Sequence, residues 1–219
     1  MMHHDVACLS NPPKNLTLDE AKKIQNKFRR NIRKRGVLPR RIRFIAGLDS
    51  AYGETRIFSA AAAVDFKEMS LVELAGVTGD LAFPYHPGFL AFREAPSLIT
   101  AAKKLKTEID VFIVDGHGYA HPRRFGLACH VGLALDTPVI GVAKSPLTGT
   151  AKQSRIVDGD ETVGAVVRSS TGKDRYVSVG HKISLEDATR IVKECMLNSN
   201  PEPIRYAHAE ANRLKRRSQ

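Results

Sequence analysis

The sequence predicts an α/β fold, a mixed sheet flanked by helices and preceded by a basic helix. Three observations carry this. Three short apolar runs follow one another, then apolar runs alternate with helical patterns, and the last third adds a hairpin and a further helix. With 219 residues, 42% hydrophobic and 26% charged, the chain has the composition of an ordinary globular protein with one core. Disorder as the main state is excluded.

Residues 1–16 contain Asn11-Pro12-Pro13 and read as a flexible arm, with His3 and His4 as an unstructured pair. Thr17-Leu18-Asp19-Glu20 then offers a capping box, so a basic helix is expected from Leu18 to Lys34, ended by Gly36. Phe44 to Ala51, Ile57 to Phe66 and Leu71 to Thr78 predict an antiparallel meander, because only short polar turns separate them. Gly88 to Lys106 has helical spacing, with Pro96 at a kink or in a first turn. Val111 to Val114 and Pro138 to Val142 are short and wholly apolar, as buried parallel strands are, and a helix from Arg124 to Leu135 joins them. Thr162 to Arg168 and Tyr176 to Val179 alternate like a hairpin around Ser170-Thr171-Gly172-Lys173. A capped helix follows from Leu185 to Leu197, after which Pro201 and Pro203 break the chain. The order β-β-β-α-β-α-β is that of a ribonuclease H-like sheet. The expected division is an arm (1–16), a basic helix (17–37), the catalytic-type domain (38–204) and a basic C-terminal tail (205–219).

Charge is unevenly placed. The formal net charge is +11, and Ala21 to Leu48 holds 11 Lys and Arg with no acid, so the remaining 23 basic residues balance the 23 acids. A polyanion such as nucleic acid suits that segment, and a solvated helix face is the rival explanation. Cys8, Cys129 and Cys195 lie far apart without a C-x-x-C, which excludes a disulfide framework and a cysteine zinc site. No charged start with an apolar stretch and no run of 18 apolar residues occurs, so no signal peptide or membrane partner is expected and a cytoplasmic location follows.

Three carboxylates fall where packing alone would not place them. Asp49 interrupts an apolar strand, Asp115 follows directly on Phe112-Ile113-Val114, and Glu94 lies six residues past Gly88 on the next helix. Buried carboxylates are costly unless paired or bound to a cation, and carboxyl ends of parallel strands are where ligands bind. Hard oxygen donors of this kind suit Mg²⁺, with Mn²⁺ as a substitute, and such an ion would polarise a phosphodiester. Lys144, at the end of Val139-Ile140-Gly141-Val142-Ala143, would stabilise charge on a phosphate or pair with one of the acids. Asp115 to Arg124 concentrates an acid, two glycines, two histidines and two arginines. Proton relay is the favoured role for His117 and His121, ahead of zinc binding. Phe83-Pro84-Tyr85-His86-Pro87-Gly88 holds an aromatic between prolines, either as a wedge for a base step or packed on the core.

Together these motifs resemble the endonuclease V family. The resemblance runs from Ile45 to Ala207 through Gly47-Leu48-Asp49, Pro84 to Gly88, Phe92-Arg93-Glu94, Val114 to Gly118, His121 to Arg124, Gly141 to Lys144 and Gly180-His181. It implies Asp49, Glu94 and Asp115 as the metal carboxylates, His121 and Lys144 near the scissile phosphate, and Tyr85 as the wedge. It further implies a lesion pocket at Gly88, Leu90, Gly116, Gly126 and Leu127, with Arg93 and Arg123 gripping phosphate or holding the loops. The implied reaction is cleavage of DNA bearing inosine or another deaminated base, or of inosine-containing RNA, at the second phosphodiester 3′ to the lesion. It leaves 3′-hydroxyl and 5′-phosphate ends, serves DNA repair and needs no obligate protein partner. Rival readings are another ribonuclease H-like nuclease and a non-catalytic nucleic-acid binding module. Two departures stand out: His86 replaces an aliphatic residue, and His208 replaces an acid of some relatives. The charge distribution adds an expectation that the basic helix grips phosphates blindly while a neutral pocket chooses the lesion.

Overall fold

The computed structural model describes residues 8–13 and 15–218, so His3 and His4 lie outside the described residues. Strands β1 (Phe44–Tyr52), β2 (Arg56–Asp65) and β3 (Leu71–Asp80) form the expected meander. Its second turn is closed by Asp65, whose Oδ1 accepts from the amides of Lys67 at 2.9 Å and Glu68 at 3.0 Å. Helix α2 (Leu90–Lys104) leads to β4 (Val111–Asp115), and α3 (Leu127–Leu135) to β5 (Val139–Ala143). Strand β4 pairs in parallel with both β1 and β5. Strands β6 (Thr150–Lys152), β7 (Arg155–Asp158), β8 (Glu161–Arg168) and β9 (Asp174–His181) extend the sheet, and α4 (Leu185–Cys195) and α5 (Glu202–Arg217) follow. The sheet order is β3-β2-β1-β4-β5-β9-β8-β7-β6.

Strand alternation sorts the core into two layers. Leu48, Phe112 and Val114 pack against Leu98 and Ile99 of α2 and Val131 of α3. Ile45, Ile113, Ile140 and Val142 pack against Ile191 and Val192 of α4 and Ile204 of α5. Since side chains repeat every second residue, Asp49 follows Ile45 and Asp115 follows Ile113 onto the second face. The acids thus emerge where the apolar rows of β1 and β4 end.

Four elements differ from expectation. Helix α1 (Leu18–Phe28) carries the predicted capping box but gives way to a 3₁₀ turn at Arg29–Asn31 instead of running to Lys34. From Arg29 onward the basic run has no acid for an i,i+4 pair, and the Arg33 amide leaves the helix to donate to Nδ1 of His181 at 3.3 Å. The C-terminal segment is a helix rather than a tail: Pro201 is the N-cap of α5 and Pro203 lies in its first turn, where a missing N–H costs nothing. Ile204, Ala207 and Ala211 are buried. The hairpin β6–β7, exposed along β6 and burying only Ile156 from β7, has no apolar alternation to announce it. Helix α2 continues through Pro96.

The arm is held at Leu9. Leu9 is buried with Phe28, Phe125 and Cys129, a burial that stabilises by about 2 kcal/mol. Its carbonyl accepts from His130 Nε2 at 2.8 Å. Burial holds the His130 imidazole down at about 4, so it is neutral in the folded protein. The unfolded chain takes up this proton near the ordinary value of 6.5, so the contribution to stability is present above 6.5 and lost as pH falls towards 4. Relative to His130→Phe, the wild type should lose up to about 3 kcal/mol between pH 7 and pH 4 in denaturant titrations. A pH-independent difference would contradict the buried neutral imidazole.

Candidate active site and base pocket

The register Leu48↔Val114 brings Asp49 beside Asp115 across the β1–β4 pair. Asp49 is buried; its Oδ1 accepts from the Ser50 amide at 2.8 Å and its Oδ2 meets His208 Nδ1 at 2.7 Å. Burial, with the Asp115 charge adding to it, pushes the Asp49 carboxyl up to about 6 against the pull of His208 and the Ser50 amide. Glu94 arrives from α2, buried, and accepts from the Tyr52 hydroxyl. Burial pushes it up to about 8; the Tyr52 hydrogen bond opposes this, and the Asp49 and Asp115 charges reinforce it. Lys144, just past β5, donates to Asp115 Oδ2 at 2.6 Å.

Asp49, Asp115, Glu94 and Lys144 are therefore gathered as the sequence suggested. Among the described residues no three His, Cys, Asp or Glu side chains already form a metal cage, and each acid has another partner: Tyr52 for Glu94, Lys144 for Asp115 and His208 for Asp49. The donor set nevertheless fits a hard divalent cation. Burial together with the Asp115 charge raises Asp49, and burial together with the Asp49 and Asp115 charges raises Glu94, so the site wants positive charge, and oxygen is the donor Mg²⁺ or Mn²⁺ prefers. His208 supplies an imidazole from α5 where the sequence had indicated only the lack of an acid.

Next to this centre is a cavity of about 210 Å³ lined by residues 85–88, 90–91, 117, 121, 126–127 and 145–147, together with Gln25. It is smaller than the ~300–1,000 Å³ of typical drug-sized sites, and suits one base. Gly88, Leu90, Gly126 and Leu127 line it. Gly116 stands behind the wall, where Leu127 packs against its Cα. Tyr85, at the mouth, is 67% exposed rather than packed on the core, whereas His86 turns inward to an edge contact with Phe83.

His121 meets loop backbone through both ring nitrogens. It is buried, its Nδ1 accepts from the Arg123 amide at 3.1 Å, and its Nε2–H therefore points at the Gly88 carbonyl, 2.9 Å away. Burial lowers it to about 4 against the pull of the Gly88 hydrogen bond, and the charges of Arg123, His117 and Arg124 add to the lowering. The imidazole holds a loop. His117 Nε2 likewise meets the Ser145 carbonyl, at 2.8 Å. The arginines also serve loops: Arg93 donates to the Phe83 carbonyl at 2.8 Å and covers the Tyr52 ring, and Arg123 donates to the Gly88 carbonyl at 2.7 Å and covers Phe89.

Gln25 escaped the sequence reading. It is wholly buried on α1, on the face of Ala21 and Phe28, and an uncharged amide inside the apolar stripe of a basic helix was the available signal.

The family model for endonuclease V matches residues 26–209. The chain is 38% identical over 212 residues to an endonuclease V of Thermofilum pendens, covering 93% of this chain and 91% of that one. A crystal structure of the Streptomyces avermitilis endonuclease V superposes with a TM-score of 0.87 at 32% identity, over 94% of this chain and 96% of that one. The Ciona intestinalis endonuclease V, solved with a 24mer DNA containing an inosine followed by a ribo-adenosine, superposes with a TM-score of 0.85 at 28% identity, over 92% and 99%.

The mixed, helix-flanked sheet shared with these structures gives the protein a ribonuclease H-like fold, and the family match makes it a nuclease. The chain belongs to the endonuclease V family.

Proposed function

We propose that this nuclease recognises hypoxanthine in DNA by receiving the base in the 210 Å³ cavity, and hydrolyses the second phosphodiester on the 3′ side. The observation that carries the reading is the adjacency of a base-sized pocket with a glycine-rich rim, an outward tyrosine and a carboxylate centre. The DNA complex of the Ciona relative supports it. Hypoxanthine pairs weakly, so extruding it costs less, and it presents a 6-oxo acceptor and an N1–H donor where adenine presents a 6-amino donor and an N1 acceptor, so fixed backbone groups in a tight pocket can accept one and refuse the other. Tyr85 would fill the gap left in the stack.

Asp49 and Asp115 would hold a divalent cation with Glu94. When bound, such an ion polarises the scissile phosphate and eases deprotonation of the attacking water. Lys144, released from Asp115, would neutralise charge building on the phosphoryl oxygens. Tyr52 orients Glu94 through its hydroxyl, and His208 orients Asp49. His121 and Arg123 fix the Gly88 peptide, so their contribution is to the shape of the pocket.

An end-labelled strand with one inosine tests this. Cutting at one position 3′ to the inosine is expected in Mg²⁺ and none in chelator. Equal cutting of an undamaged strand would favour a general nuclease, and no cutting of either a binding module. Tyr85→Ala should weaken binding to inosine strands by about tenfold, within the ~1–3 kcal/mol of a base–aromatic stack. An unchanged dissociation constant would remove the wedge.

A further inference from the structure

Helix α1 reaches the pocket through Gln25. Helix α1 is amphipathic: Lys22, Lys23, Lys27, Arg29 and Arg30 at or just past its end are exposed, while Ala21, Gln25 and Phe28 face inward. Gln25 Nε2 donates to the Gly88 carbonyl at 3.0 Å and to the Phe125 carbonyl at 3.1 Å. Its Oε1 accepts from Arg123 Nε at 2.5 Å. Both amide hydrogens and the acceptor are thus used, and Arg123 returns to the same Gly88 carbonyl through Nη2. Two rims of the cavity, one at Gly88–Leu90 and the other at Gly126–Leu127, are thereby tied to a single side chain.

Gly88 also needs this support. It sits at φ +78°, and a Cβ there would stand 2.9 Å from Arg123 Nη2. Its carbonyl collects three donors, from Gln25, His121 and Arg123. A pocket that tells bases apart with fixed polar groups tolerates little change in rim spacing, because each misplaced pair leaves a buried group unsatisfied.

We infer that Gln25 is a specificity-positioning residue, clamping the two rims of the base pocket and so coupling the basic helix to lesion choice. The inference rests on the reading that the cavity receives the base. It lies one residue outside the span of the family match. It also changes the division of labour suggested by the charge distribution. Removing residues 1–35 takes away the clamp together with Leu9 and Phe28, so lesion preference would not survive that truncation.

The test uses the full chain. Gln25→Glu keeps the side-chain length and an acceptor for Arg123 but loses both N–H donors; Gln25→Met keeps the volume and loses every polar contact. Steady-state kcat/KM is measured in Mg²⁺ on a single-inosine strand and on the same strand with adenine in its place. The ratio of the two is expected to fall about tenfold or more in both variants, chiefly through KM for the inosine strand. A purely structural role lowers the active fraction and both rates alike, leaving the ratio unmoved; that outcome, or an unchanged ratio with full activity, overturns the inference. A wild-type ratio near one would overturn the base-pocket reading itself, and the inference with it.

Discussion

Asp115→Asn is expected to bind inosine-containing strands within about threefold of the wild type and to nick them at least ~1,000-fold more slowly, a loss of about 4 kcal/mol of barrier lowering. Asparagine keeps the shape of the side chain at the end of β4 but gives up its charge. The change removes an oxygen donor suited to a divalent ion, breaks the 2.6 Å ion pair with Lys144 and relieves the repulsion that adds to burial in raising the Asp49 carboxyl. Loss of the pair and loss of the repulsion act on stability in opposite directions. The Lys144 side chain is 56% exposed, so the pair itself is worth little. In chelator the melting temperature should therefore stay within ~4 °C of the wild type. Binding measured by anisotropy and cleavage by gel separate the two functions. Cleavage retained in Mg²⁺ would contradict the carboxylate centre, and binding lost along with cleavage would contradict its separation from the pocket.

Gly126→Ala should be the most damaging small change at the pocket. Gly126 caps α3, and its amide donates to the Gly118 carbonyl at 3.0 Å. A Cβ at this position would lie 2.4 Å from the His117 carbonyl oxygen and 2.8 Å from that of Gly118. Those neighbours are backbone, fixed in turn by the amides of Gly126 and Ala128, so no side chain can swing aside. The cost is expected to reach about 4 kcal/mol, and the melting temperature to fall by roughly 10 °C. Because Gly126 forms one rim of the cavity, discrimination between inosine and adenine should fall in whatever fraction stays folded. A melting temperature within 2 °C of the wild type would show that the 116–118 segment is free to move.

The parts of this site that were legible in the sequence are those imposed by strand periodicity. An acid in an apolar run, an acid at a strand end and a lysine at the next strand end must meet once β1, β4 and β5 are neighbours, and they do. Residues whose meaning depends on long-range contacts were not legible. His121 sits among motif residues that suggest proton chemistry, yet its two ring nitrogens are committed to the Arg123 amide and the Gly88 carbonyl. Gln25 looked like one more polar residue of a charged helix, although its contacts lie 63 and 100 residues away. Helix α5 was hidden by Pro201 and Pro203, which read as breakers but occupy the start of a helix, the one place where proline fits. That helix brings His208 to Asp49.

The net charge of +11 has its place in this account as the exposed face of α1 and the basic run that follows it. Its contribution to binding should be large, blind to sequence and sensitive to salt. Lesion choice should instead belong to a cavity lined mainly by apolar side chains and main chain. The direct test is equilibrium binding in chelator, comparing an inosine strand with its undamaged counterpart from 50 to 300 mM salt. Both affinities should fall steeply and in parallel, with the preference for inosine preserved at every salt concentration. A preference that vanishes in chelator, or shrinks as salt rises, would contradict the assignment of recognition to the neutral pocket.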